Sequence, residues 1–167
     1  DYFSCHVNVI DSDPTSPLPA GSPPMHAVVD PFHPLLRVIE RYKQDVHQLR
    51  EAPPADALDQ AAEALGHEVP PSLRSFLERW NGATLFRGAL RIRSINELAP
   101  ASETTPTVIV FADGPRPRDR WAYAPHGIDG VVFGRWADET FQPLHERFER
   151  WIMATVSILD HNVHDPE

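Results

Sequence analysis

Histidines and carboxylates supply most of the groups in this chain that could do chemistry. Its 167 residues include nine histidines, 24 acidic residues, 15 basic residues and a single cysteine, Cys5. The densest cluster is Asp160-His161-Asn162-Val163-His164-Asp165. Its imidazoles and flanking carboxylates have the nitrogen and oxygen donors of a zinc-type site. The cluster falls where order is least expected, and Pro166 opposes helical continuation there, so the stretch reads as a solvated tail. A second pair is Asp113, in Phe111-Ala112-Asp113-Gly114, and His126, in His126-Gly127-Ile128-Asp129-Gly130. Each stands at the end of a strand-like run, where a general base and the group that orients it could meet. Asp-Gly and glycine-rich stretches are nevertheless turns first. His6, His26, His33, His47, His67 and His145 are scattered and read as surface or cap residues. One cysteine permits neither a disulfide framework nor a cysteine-based zinc site. The only lysine, Lys43, is in no phosphate loop, and there is neither a Gly-x-Ser-x-Gly elbow nor a His-Glu-x-x-His pair. The expectation is a chain without catalytic residues, metal or cofactor, one that binds rather than catalyses.

Charge points to the kind of partner. The formal net charge is −9, but residues 31–137 hold 13 acids and 13 bases, while residues 1–30 carry four acids and no base, and residues 138–167 seven acids against Arg147 and Arg150. No basic stripe is present, which argues against a nucleic-acid binder. Acidic ends would attract a basic protein partner; the plainer reading is that they aid solubility. No apolar run approaches the ~20 residues needed to cross a bilayer. The first residues lack the pattern of a secretory leader, although the sequence does not begin with Met. With the lone cysteine, this suggests a cytoplasmic protein.

Phe3, Cys5, Val7 and Val9 alternate with polar residues, as in a half-buried strand. Five prolines between Asp11 and Pro24 then make a linker, so residues 1–24 read as an arm, residues 25–160 as the domain and residues 161–167 as a tail. A first helix should start with Asp30 as cap and Pro31 at its first position. It would bury Leu35, Leu36, Ile39, Tyr42, Val46 and Leu49 until Pro53-Pro54 ends it. A second helix covers about 55–65 with Gly66 as its left-handed stop, and a third about 71–80, closed by Asn81-Gly82. Strand-like runs follow at 84–86, 89–92, 107–112, 120–123 and 130–134, with a single polar turn at 94–98. A last helix is predicted over 141–159, with Phe141, Leu144, Phe148, Trp151, Ile152, Thr155 and Leu159 on its face. Helices, then a strand meander, then a closing helix imply an α+β fold on a mostly antiparallel sheet.

Of the tryptophans, Trp80 and Trp151 fall on helical stripes and should pack in the core. Trp136 falls on none. Packing in the core or at an edge is its plainer role; a partly exposed interface anchor beside Arg135 is the sharper one. The polar face of the last helix reads as solvated, or as a contact face for a basic partner.

Leu65-Gly66, Val69-Pro70, Leu73, Phe76-Leu77 and Asn81-Gly82 resemble the hallmark of the SUKH superfamily, which includes the yeast Smi/Knr cell-wall assembly regulator and many bacterial proteins. The similarity runs on through Ile95-Asn96-Glu97-Leu98, Val108 to Gly114, Trp121-Ala122-Tyr123 and Phe141 to Ile152, spanning about residues 31–159. Val69 stands where the family usually has Leu, and Pro115-Arg116-Pro117-Arg118 replaces a small glycine-rich turn. The resemblance implies a non-enzymatic immunity protein that neutralises a secreted toxin, often a nuclease, by direct binding. It equally allows a host scaffold or regulatory adaptor. A small Asp/His- or metal-dependent hydrolase is the remaining alternative. The expected contacts are Asp113, Arg116, Arg118 and Asp119 in one loop, with Trp136, Asp138 and Glu139. The expected partner is another protein, a basic toxin domain being the candidate, with no nucleic acid and no membrane.

Overall fold

The computed structural model describes residues 29–42, 45–127 and 130–164. The alternating residues near the start and the proline-rich linker lie outside them. Along the described residues run α1 (His33–Glu40), β1 (Gln48–Leu49), α2 (Ala57–Leu65), α3 (Pro71–Arg79), β2 (Ala83–Leu85), β3 (Leu90–Ile92), β4 (Ala99–Pro100), β5 (Ile109–Asp113), β6 (Arg120–Gly127), β7 (Gly130–Ala137), β8 (Thr140–His145) and α4 (Phe148–His164). The strands form one antiparallel sheet in the order β1-β2-β3-β5-β6-β7-β8. β4 follows β3 along the same edge of β5 after the 3-10 turn Ile95–Glu97. This is the α+β architecture expected from the order of periodicities.

The core lies between the helices and one face of the sheet. Helical spacing delivers Leu58 and Ala61 from α2, and Leu73, Phe76 and Leu77 from α3. Period-two alternation brings Leu85, Ile92, Tyr123 and Phe133 to meet them. Phe111 is the hub: its ring lies 4.6 Å from Trp151, 5.5 Å from Phe133 and 5.9 Å from Phe148, each edge to face. Trp151 is fully buried as its stripe predicts. Trp80 is half-buried, with the Arg79 guanidinium 4.3 Å above its ring.

Gly66 ends α2 in the left-handed conformation (φ 70), but the Asn81-Gly82 pair does something other than cap. α3 stops with Trp80 already extended (φ −139, ψ 122). Asn81 then spans out of the helix: its Oδ1 accepts from the Ile95 N–H at 3.0 Å and its own N–H donates to the Glu51 carbonyl at 3.1 Å. Gly82 sits at φ 94, and a β-carbon there would come 2.8 Å from the Ile92 carbonyl. The pair therefore docks the helical hairpin onto the sheet.

Both predicted outer helices need correction. The first covers only His33–Glu40, with Phe32 rather than Asp30 before it and Pro34 in its first turn. Phe32 is drawn into the aromatic core, 5.5 Å from Phe76 and 5.8 Å from Trp80. Val46 and Leu49 continue the helical spacing, but Gln48 and Leu49 pair with Thr84 and Ala83. That pairing satisfies backbone groups of β2 that would otherwise be bare. At the other end, Phe141 and Leu144 lie in β8, not in a helix. Asp138 and Glu139 both take positive φ (49 and 57), forming a two-residue turn that lets Ala137 pair with Thr140 and Trp136 with Phe141. Pro143 is tolerated because β8 ends the sheet order. α4 begins at Phe148, whose N–H donates to Ser72 Oγ at 3.1 Å. It runs to His164, so the boundary expected at residue 160 falls inside a helix. Asp160 explains the extension: it accepts a hydrogen bond from the Tyr42 hydroxyl and pairs with Arg41 at 3.5 Å. Pro166 lies outside the described residues. No helix among the described residues is long and apolar enough to cross a membrane.

Candidate protein-docking surface

One end of the sheet gathers the polar loops. After β5, residues 114–119 turn back into β6, closed by Gly114 N–H to the Asp119 carbonyl (2.6 Å) and Asp119 N–H to the Arg116 carbonyl (2.9 Å). Arg116 and Arg118 project outward. Beside them is the tight turn between β7 and β8, with Asp138 and Glu139 exposed. Arg118 reaches Asp138 at 4.0 Å, and Arg135 reaches Asp119 at 3.4 Å. The structure thus brings Asp113, Arg116, Arg118, Asp119, Asp138 and Glu139 into neighbouring positions. These pairs are exposed and each contributes little to stability; their arrangement is a display of both signs of charge.

Trp136 does not belong to that display. It is 5% exposed and packs with Val108, Val110, Ala122 and Phe141 on the sheet face away from the helices. The alternation of β7 sends Phe133 to the helix side and Trp136 to the other. The plainer of its two expected roles, packing, is the one found; the half-exposed anchor is not.

Asp113 is held from behind. Arg93 grips both its oxygens at 2.8 Å and also donates to the Glu97 carbonyl at 3.3 Å. Arg91 bonds Glu97 and lies 3.9 Å from Asp113, and Arg50 lies 3.5 Å from Glu97. Burial pushes the Glu97 carboxyl up, but the Ser94 N–H and hydroxyl with Arg91 and Arg50 outweigh it and hold it below the usual carboxylate range. Sequence reasoning missed this network. Two signals were present: Arg91-Ile92-Arg93, two arginines flanking a buried residue in a strand, and Ser94-x-x-Glu97, the spacing of the capping box found there.

The proposed base and orienter are separated. Asp113 pairs with Arg120 at the start of β6, and His126 stands six residues further along that strand, about 20 Å away at strand rise. At the C-terminal cluster, His161 is exposed on the last turns of α4, and no group of three metal-ligating side chains forms among the described residues. His47 also departs from its surface reading. It is 8% exposed, and its Nδ1 accepts from the Phe86 N–H at 3.2 Å. Burial lowers its pKa, with the Asp160 charge pulling partly back.

Next to the loop end lies a groove of about 240 Å³. Its walls include Leu90, Trp121, Ile158 and Leu159, with Asp119 and Arg135 at its polar side. Nothing in the sequence pattern marked it, since it is assembled from β3, the 114–119 loop, the β6–β7 ladder and α4. Neither a protein-family model nor a curated protein matches the chain.

Proposed function

We propose that this chain is a non-enzymatic protein-binding domain of the SUKH type, acting as an immunity protein that neutralises a bacterial toxin by direct, stoichiometric contact in the cytoplasm. The observation that carries the reading is the loop end of the sheet. Two tight turns display mixed charges there, beside an apolar groove, on a well-packed base. A polar rim around an apolar anchor point is the anatomy of a recognition surface. The Asn81-Gly82 link between the helical hairpin and the sheet supports the family assignment, because it gives the resembling residues one shared structural task. A basic toxin domain would also be steered by the acids that outnumber bases over residues 138–167.

The test is co-expression with the product of the gene beside this one. The expected outcome is rescue of growth, a one-to-one complex, and an association rate that falls as ionic strength rises. An adjacent gene of housekeeping type, with stable capture of its product and no toxicity to relieve, would replace this reading with the adaptor one. A salt-independent rate would remove its electrostatic part.

A further inference from the structure

The side of the sheet away from the helices carries more positive charge than it neutralises. Alternation along β3 sends Leu90 and Ile92 into the core and leaves Arg91 and Arg93 on that side. In β5 a register shift between Val110 and Ala112 turns Asp113 to the same side, between Arg91 on one neighbouring strand and Arg120 on the other. Arg120 shares its face of β6 with Ala122 and lies opposite Trp136. We propose that the face around Arg91 and Arg120 is a docking site for an acidic segment of the partner protein, whose carboxylates supply the counter-ions these arginines lack. This rests on the protein-binding reading above and names the chemistry of one contact.

Four arginines, Arg50, Arg91, Arg93 and Arg120, share two carboxylates here, Glu97 and Asp113. Arg93 occupies both Asp113 oxygens. Glu97 is taken by Arg91 and by the Ser94 N–H and hydroxyl, with Arg50 3.5 Å away. Arg120 is half-buried and makes no ion pair or side-chain hydrogen bond among the described residues. The neighbours do not cancel the surplus. Arg116 and Arg118 offset Asp138 and Glu139 at the two turns, and Asp119 pairs with Arg135, which lies opposite Trp121 on the helix side. Counting exposed Glu51, next to Arg50, still leaves a positive excess. Glu103 stands beyond Val108, about 15 Å from Asp113 at strand rise. In a chain whose net charge is −9, this excess runs against the overall composition.

A half-buried guanidinium beside two others is held against like-charge repulsion, which an added anion would relieve. Arg91 and Arg120 lie one strand to either side of Asp113, so their backbones stand about 10 Å apart, and two long side chains can close on one carboxylate between them. Guanidinium forks match the two oxygens of that group. A nucleic acid fits less well. Trp136 is 5% exposed and offers no ring on which a base could stack, and a long polyanion meets the field of an acidic chain. A short acidic segment avoids most of that field. The 114–119 loop joins Asp113 to Arg120, so the site is continuous with the charged turns. A partner that is basic overall still fits, steered by the acids of residues 138–167, when the segment at this face is acidic.

The experiment titrates the ¹⁵N-labelled full chain with capped hexaglutamate and follows backbone amide and arginine Nε–H signals. Capped hexalysine, inorganic phosphate and an oligothymidylate of about ten nucleotides are the comparison probes. Hexaglutamate is expected to bind saturably with a Kd of about 1 mM, shifting Arg91, Asp113 and Arg120 although chain and probe are both acidic. Hexalysine, drawn to the acidic ends, should leave these residues in place. Arg120→Gln, which removes no ion pair, should weaken hexaglutamate about three- to five-fold. Arg120→Glu should weaken it about ten-fold, and Arg37→Gln, on α1, should leave it unchanged. Absence of saturable shifts at Arg91 and Arg120, equal shifts there with hexalysine, or unchanged affinity in the Arg120→Glu variant would overturn the proposal. Phosphate or the oligonucleotide binding these arginines more tightly than hexaglutamate would overturn it in favour of a phosphate site. The probe is not the toxin, so failure here leaves the neutralisation test standing, and failed neutralisation with intact peptide binding ends the immunity reading alone.

Discussion

On the face covered by helices, the sheet presents Leu85, Leu90, Ile92, Phe111, Tyr123 and Phe133, none more than 1% exposed. On the opposite face it carries the smaller patch of Val108, Val110, Ala122 and Trp136 beside the Arg91, Arg93 and Asp113 network. The same strands supply both faces, one residue apart. The first face carries most of the apolar and aromatic burial that holds the fold together. The second spends less on burial and uses ion pairs to hold loops in a set arrangement. The second face thus holds the charged turns, while the groove beside them opens on the first, where α4 meets Leu90 and Trp121. A partner can press on the turns without touching Phe111, Tyr123 or Phe133, which are fully buried.

Substitutions can break this division or make it sharper. Phe111→Ala, at the aromatic hub, should cost about 3–5 kcal/mol in urea unfolding, enough to leave the domain marginal. Trp136→Ala should cost less, about 2–3 kcal/mol, because its cluster is smaller. A Trp136→Ala variant with unchanged stability but lost partner binding would return this residue to the interface. Gly82→Ala should cost about 2–3 kcal/mol, since φ is positive and the added carbon meets the Ile92 carbonyl; a neutral result would mean that the hairpin is not tied to the sheet through this residue. Arg93→Met should cost about 1–2 kcal/mol and, unlike the core variants, should loosen the 114–119 loop. A double-mutant cycle with Asp113→Asn that gives no coupling would show the pair to be idle.

The smallest expected effect separates the faces by pH. His47, at the margin of the helix-side core, has its folded pKa below the unfolded value, near 6.5. Its contribution is therefore present above pH 6.5 and is lost as pH falls from there through the folded pKa. Glu97, on the other face, is also held low, so its contribution is complete above about pH 4.5 and fades only in stronger acid. Urea midpoints across this range should fall in two stages. His47→Gln should abolish the first stage and leave the second; an unchanged first stage would assign it elsewhere.

Much of this architecture could be read from the sequence. Leu58 and Ala61, then Leu73, Phe76 and Leu77, fell on helical stripes because propensity and burial agreed there. Thr107 to Ala112 read as a buried strand for the same reason, and the strand found there is Ile109–Asp113. The failures came where distant pairing overrode local periodicity. Gln48-Leu49 and Phe141-Leu144 both carry helix-compatible spacing, yet each was claimed by a neighbouring strand. The Asp138-Glu139 turn hid the second case, since neither residue is the glycine or asparagine that usually marks left-handed positions. At the sheet end, the loop after Asp113 was legible from its glycine and prolines, whereas the Asp138-Glu139 turn was not. The Arg50, Arg91, Arg93 and Glu97 network and the groove were not, because each depends on residues brought together from separate elements.

The hydrogen bond from Tyr42 to Asp160 joins groups 118 positions apart in the chain, and it bears on how the domain is made. A ribosome delivers α1 well before its docking site on α4, with every strand of the sheet made in between. The first of the described helices must therefore wait, unseated, while the sheet is synthesised, and the domain cannot close until α4 has followed it.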